Sequence, residues 1–153
     1  MSYISRVLQP GESVVHVTRI HPIIFLAAIS WAGAALVLLI AALTLSGDWR
    51  IAGEALAAIC AVLALGSAIP ALIRRISTEL AVTDRRVIYK SGVLARHTIE
   101  MNRSKVESVD VDQSVLGRLF GFGTIVLRGT GGSLEPIRMI SDPLTFRSHI
   151  TAG

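Results

Sequence analysis

The sequence predicts an α+β protein: a two-helix transmembrane hairpin and a small antiparallel β-sandwich or barrel that ends in a C-terminal helix. Three observations predict it. Charge is unevenly spread, since residues 22–73 hold only Asp48, Arg50 and Glu54, whereas residues 76–153 hold ten Lys/Arg and eight Asp/Glu. A mean hydropathy of +0.60 and 52% hydrophobic content therefore average two segments suited to different solvents. Two long uncharged runs stand side by side, Pro22–Ser46 and Ala55–Ile73. Short β-prone pieces fill the rest, divided by Asp, Ser and Gly.

The first run, residues 22–46, is dominated by Ala, Leu and Ile. At a rise of about 1.5 Å per residue it exceeds a hydrocarbon core of about 30 Å. The second, residues 55–73, is just long enough, with Pro70 near its end, where a kink is tolerable. Residues 47–54, opening on Gly47-Asp48-Trp49-Arg50, form a short external turn, so the two spans are antiparallel. The first run is too long and starts too late for a signal peptide. Neither run shows the polar face of a soluble amphipathic helix. Arg50 is the one basic residue of the turn, while Arg6, Arg19, Arg74, Arg75, Arg85, Arg86 and Lys90 flank the outer ends. That asymmetry places both termini on the cytoplasmic side of the membrane. Trp49 is expected at the interface and Trp31 between the helices. Ala28 with Ala32, and Ala57 with Ala61, are small pairs that permit close helix approach. Glu54 sits one turn from the loop with Arg50 at i−4, which reads as a snorkelling acid rather than an intramembrane functional one.

Residues 1–21 form an N-terminal cytoplasmic segment. After the Gln9-Pro10-Gly11 turn, the Val, Thr and Ile content of Glu12–Ile20 reads as a strand. A lone strand has no stability, so it is expected to join the sheet formed by residues 76–153. In that region Thr78–Thr83 and Arg86–Lys90 flank a two-residue connection, Asp84-Arg85. Strands are further expected over Arg96–Met101, around Val109–Val111, over Gly123–Arg128 and over Leu134–Ile140. Gln113–Phe120 reads as a helical turn or irregular crossover with Val115, Leu116, Leu119 and Phe120 facing inward. Asp142-Pro143 is an N-cap followed by proline, predicting a helix over residues 143–150.

Motifs for catalysis are missing. His16, His21, His97 and His149 are scattered without metal-ligand spacing, and Cys60 is alone in an apolar run, read as a small residue of a membrane helix. The glycines from Gly117 to Gly132 are followed by strands rather than by a helix, so they read as turn and bulge glycines, not a phosphate cradle. No cofactor, no metal and no enzyme activity are expected. A net charge of +4 does not indicate nucleic acid, because the basic residues alternate with acidic ones along the strands. The densest basic group, Arg74, Arg75, Arg85 and Arg86, lies beside the second span and is the candidate contact for anionic lipid headgroups.

Leu80-Ala-Val-Thr-Asp-Arg-Arg-Val-Ile-Tyr-Lys-Ser-Gly92 resembles the opening hairpin of the bacterial pleckstrin-homology-like (PH-like) domain. Gln113-Ser-Val-Leu-Gly-Arg-Leu-Phe-Gly-Phe-Gly-Thr124, the Gly-rich turn and Asp142-Pro143 are similar to its second half. Leu8-Gln-Pro-Gly-Glu12 ahead of paired spans resembles membrane-anchored members. The resemblance covers most of the chain outside the helices. It implies two packed antiparallel sheets with a C-terminal helix, and it implies no reaction. The expected role is a membrane-anchored binding or assembly module that meets a protein partner or its own copies. The alternatives are a reader of anionic lipid headgroups and a small subunit of a transport or secretion assembly. Only about three residues, roughly 10 Å of chain, separate Arg75 from the first domain strand, so recruitment by lipid affinity is unnecessary.

Overall fold

The computed structural model describes residues 4–92, 97–130, 132–133 and 136–152. The Arg96 and Leu134 ends expected for two strands lie outside them. The chain divides into two compact units: residues 1–21 with 74–153, and residues 22–73.

The helical unit opens with a 3-10 turn, Pro22–Phe25, then α2 (Leu26–Leu43) and, after residues 44–47, α3 (Asp48–Ser77). Both helices are long and apolar enough to cross a membrane. The expected eight-residue turn is shorter, because Asp48 enters the first turn of α3, where an acid complements the helix dipole. α3 also runs through Pro70. Arg50 Nε donates to Glu54 Oε1 at 2.8 Å, an i, i+4 pair in the leading turns of α3. The buried residues are small: Ala28 and Ala42 from α2, Ala57, Cys60 and Ala71 from α3. A Cβ at Gly53 would lie 2.8 Å from that of Ala42, so glycine permits the approach of the helices there. Ala32, Ala61 and Trp31 are exposed, not packed between helices as expected, because the seam runs along other small residues.

The other unit is an α+β domain of two antiparallel sheets. Helix α1 (Ile4–Val7) precedes β1 (Val14–Thr18). The first sheet has the order β1-β2-β3-β4, with β2 Glu79–Thr83, β3 Arg86–Ser91 and β4 His97–Asn102. β1 pairs with β2 through Val17↔Ala81 and Thr18↔Leu80, so both helices are an insertion between two neighbouring strands. In the second sheet β5 (Val106–Asp112) pairs with β6 (Phe122–Gly129), and β6 pairs with β7 (Gly132–Ser133) and β8 (Ile137–Ser141). An isolated Ile20↔Ile140 bridge joins the chain two residues past β1 to β8. Helix α5 (Pro143–Thr151) touches strands of both sheets, and Phe146 at its centre is fully buried with Leu80, Val82, Ile125, Leu127 and Ile140. Period-2 alternation places those residues on facing sides of the two sheets. Asp142 precedes α5 in a left-handed conformation (φ 46°) and makes no side-chain cap. Its backbone is committed instead: its N–H donates to Gly121 O, and its carbonyl accepts from Phe146 N. Arg103 closes the other end of α5 by donating to the His149 and Ile150 carbonyls.

Candidate functional site

The four arginines singled out in the sequence are not brought together. Arg74 and Arg75 occupy the last turn of α3, where cations complement the helix dipole, and Arg74 is exposed. Arg85 is exposed in the β2–β3 connection. The five residues of β2, about 17 Å of strand, run between the two positions.

Arg86 faces the other way and is buried. Its Nε and Nη2 hold Glu12 bidentately at 2.9 and 2.8 Å, Nη1 donates to Glu100 Oε2 at 2.5 Å, and Nη2 also reaches the Val7 carbonyl. The Thr83 hydroxyl donates to Glu12 Oε1 at 2.7 Å and accepts the Arg86 N–H at 2.9 Å. The Arg86 hydrogen bonds pull the Glu12 carboxyl from its ordinary 4.5 down to about 2, helped by the Gln9 N–H and Thr83 and opposed by burial. The same carboxylate raises the Arg86 pKa. With all three guanidinium nitrogens donating to protein acceptors, Arg86 fixes residues 7–12 onto the first sheet. Arg86 is buried and committed to the Glu12 network, whereas Arg85 is exposed, so the two do not form one exposed patch.

A second cluster joins β1 to α5. The His16 ring stacks on His149, with centroids 4.7 Å apart at 11°, and lies 6.3 Å from Phe146. Burial lowers the His16 pKa below 6.5, the neighbouring His149 adds to this, and Asp142 opposes it. Among the described residues no group of three His, Cys, Asp or Glu could hold a metal ion.

The third feature is a correction. Helix α4 (Val115–Phe120) is capped at one end by Ser114, whose Oγ accepts the Gly117 N–H at 3.0 Å, and at the other by left-handed Gly121 (φ 74°). Its apolar side chains do not face inward. Val115 is 84% exposed, Leu116 59%, Leu119 75% and Phe120 54%. The reason is Gly117, the one buried residue of α4: a Cβ there would lie 2.6 Å from the Phe122 carbonyl oxygen. Backbone packs on backbone at this point, leaving no room for an inward side chain. The four large residues therefore form an apolar tip. Arg118, Gly121, Asp142 and Leu144 line one shallow cleft beside it, and Leu144 is also exposed.

Two antiparallel sheets closed by a C-terminal helix, with polar groups spent on structure, define a small α+β binding domain of the PH-like class. Residues 15–152 match the Bacterial PH domain family, and the chain belongs to that family. The match spans both apolar helices as well as the sheets. No curated protein and no solved structure matches the chain. Domains of this class are in general non-catalytic modules that bind proteins or lipids.

Proposed function

We propose that this chain is a membrane-anchored, non-catalytic binding and assembly module of the bacterial inner membrane. Residues 22–46 and 55–73 are its transmembrane helices, and the PH-like domain and both termini are cytoplasmic. One observation carries the reading. The two apolar helices are inserted between β1 and β2, strands paired through Thr18↔Leu80, so the chain leaves and re-enters the domain at one point. An anchor attached there holds the domain at the bilayer on both sides of the insertion. The helices expose Leu36, Val37, Ile59, Val62 and Leu65, side chains whose favourable solvent is hydrocarbon. Arg74 and Arg75 at the end of α3 suit the cytoplasmic headgroup level, which makes lipid contact a feature of anchoring rather than of recruitment. The recognised partner is a protein or a further copy of the chain.

Topology tests the anchor. A cysteine at Asp48, in a Cys60→Ala background, should react with a membrane-impermeant thiol reagent in intact cells, while a cysteine at Gly153 should not. The reverse pattern would overturn the orientation.

A further inference from the structure

The apolar tip lies at the end of the domain from which the chain departs for the first apolar helix. The His21 N–H donates to Met139 O at 2.6 Å, the Ser141 N–H to Arg19 O at 3.0 Å, and the Asp142 N–H to Gly121 O at 2.9 Å. These three bonds tie residues 19–21, the end of β8 and the C-cap of α4 into one corner. The His21 ring lies 5.5 Å from that of Phe122, two residues after the end of α4. His21 immediately precedes Pro22, where the apolar segment begins. His21, one residue before Pro22, thus meets the chain two residues beyond the end of α4.

From this corner we propose that α4, together with Leu144, is an interfacial wedge that enters the headgroup–acyl boundary of the bilayer that anchors the chain. The inference rests on the anchored reading above and adds a second, peripheral contact that fixes the domain's orientation. Composition agrees with it. Of the six residues of α4 four are large and apolar, none is acidic, and the one charge is Arg118, whose long stem can reach headgroup phosphates. The exposed apolar area is on the order of 500 Å², near the largest patch a soluble monomer carries. Depth agrees as well, since one short helix suits insertion of about 5–10 Å, as interfacial segments show.

The test uses the full chain, one copy per nanodisc of phosphatidylethanolamine and phosphatidylglycerol, in the Cys60→Ala background. A polarity-sensitive thiol fluorophore is placed at Leu119→Cys, with Val37→Cys in α2 and Glu107→Cys in β5 as references. The wedge predicts that the label at 119 emits to the blue of that at 107, loses most of its quenching by aqueous iodide, and is quenched by lipids carrying a shallow nitroxide. Replacing Leu116 and Phe120 by Asp should abolish the lipid quenching at 119. If 119 stays open to iodide and untouched by nitroxide while 37 is quenched by lipid, the wedge is wrong and the anchor stands. Shielding that arises only with several copies per disc, or without lipid quenching, assigns the tip to a second copy or to the chain itself and overturns the wedge. A label at 37 that no lipid quenches overturns the anchored reading, and the wedge with it.

Discussion

Two borders of the β domain treat apolar surface in opposite ways. On the outer face of the first sheet the register places Ala81 and Ile88 beside Thr83, Arg86 and Glu100, and both apolar residues are fully buried. The N-terminal segment is held on that face by Arg86, through Glu12 and the Val7 carbonyl. At the corner of the second sheet, α4 turns Val115, Leu116, Leu119 and Phe120 outward, and no described segment covers them. The chain uses its own residues to close the first border and leaves the second open. A border closed by a buried ion network is built for stability, whereas an open apolar tip on a well-capped helix is built to meet something else. Sequence patterning cannot tell the two apart, because both consist of apolar residues among a few charges.

The closed border should break first and hardest. Arg86→Ala leaves the Glu12 side chain, which has no solvent exposure, without its counter-ion. Removing one partner of a buried pair costs about 3–5 kcal/mol. Amide hydrogen exchange on the chain in bilayers should show β1–β3 opening correspondingly more often. Glu100→Ala removes the more exposed partner and should cost only about 1 kcal/mol. Equal costs would mean that Glu12 is not the anchor of the N-terminal segment. Acid probes the same lock without mutation. The folded Glu12 pKa lies below its ordinary value, so its contribution is fully present above pH 4.5 and is lost as pH falls toward 2. The Glu12→Gln variant should lack that part of the acid transition.

The open border has its own weak point. Gly117→Ala drives a Cβ against the backbone oxygen of Phe122, which cannot swing aside as a side chain would. Overpacking of this kind costs about 1–3 kcal/mol, and protection should fall first at residues 113–123. An unchanged α4 in the Ala variant would mean that the helix is not fixed by that contact, and that its outward face is one arrangement among several.

Between the borders, the stacked His16 and His149 join β1 to α5. Because the folded His16 pKa is lowered, its contribution is fully present above the ordinary 6.5 and declines as pH falls below it. Exchange protection of α5 should therefore drop between pH 7.5 and 5.5, by less than for either loss above. His16→Gln should flatten the dependence. A pH-independent wild type would remove the pair as a source of sensitivity.

These contrasts also show what the residues could reveal in advance. The fold class was legible because its signals are local: the Asp84-Arg85 connection, the alternation in β4 and β5, and Pro143 at the start of α5 each depend on a few adjacent residues. The Glu12–Arg86 lock was not, since its partners are 74 residues apart in sequence and meet only once β1 pairs with β2. One trace of it was legible: Glu12 heads a strand expected to join the sheet that carries Arg85 and Arg86. The outward turn of α4 left a trace as well: Ser114 and Gly121 cap the helix, and the interior Gly117 marks the side on which it meets backbone. Apolar residues were expected inward there because burial is the commonest use of apolar side chains.

The smallest expected effect is the sharpest check on the comparison. Leu116→Gln with Leu119→Gln removes two large apolar groups from α4 while keeping good helix formers, and adds no charge to oppose the helix dipole. Were the tip part of the core, the double change would bury two amides without partners and cost several kcal/mol. Both positions are more than half exposed, so the expected cost to folding is within about 0.5 kcal/mol. Phe146→Ala, at a fully buried position of α5, should cost about 3–5 kcal/mol in the same assay. The measurement is the opening free energy of β6 and α5 by hydrogen exchange in detergent micelles and in bilayers. A loss above about 2 kcal/mol in micelles would class the tip with the core and erase the distinction between the two borders. A neutral result there, with lower protection of residues 115–120 only in bilayers, is the outcome that a tip kept apolar for the membrane requires.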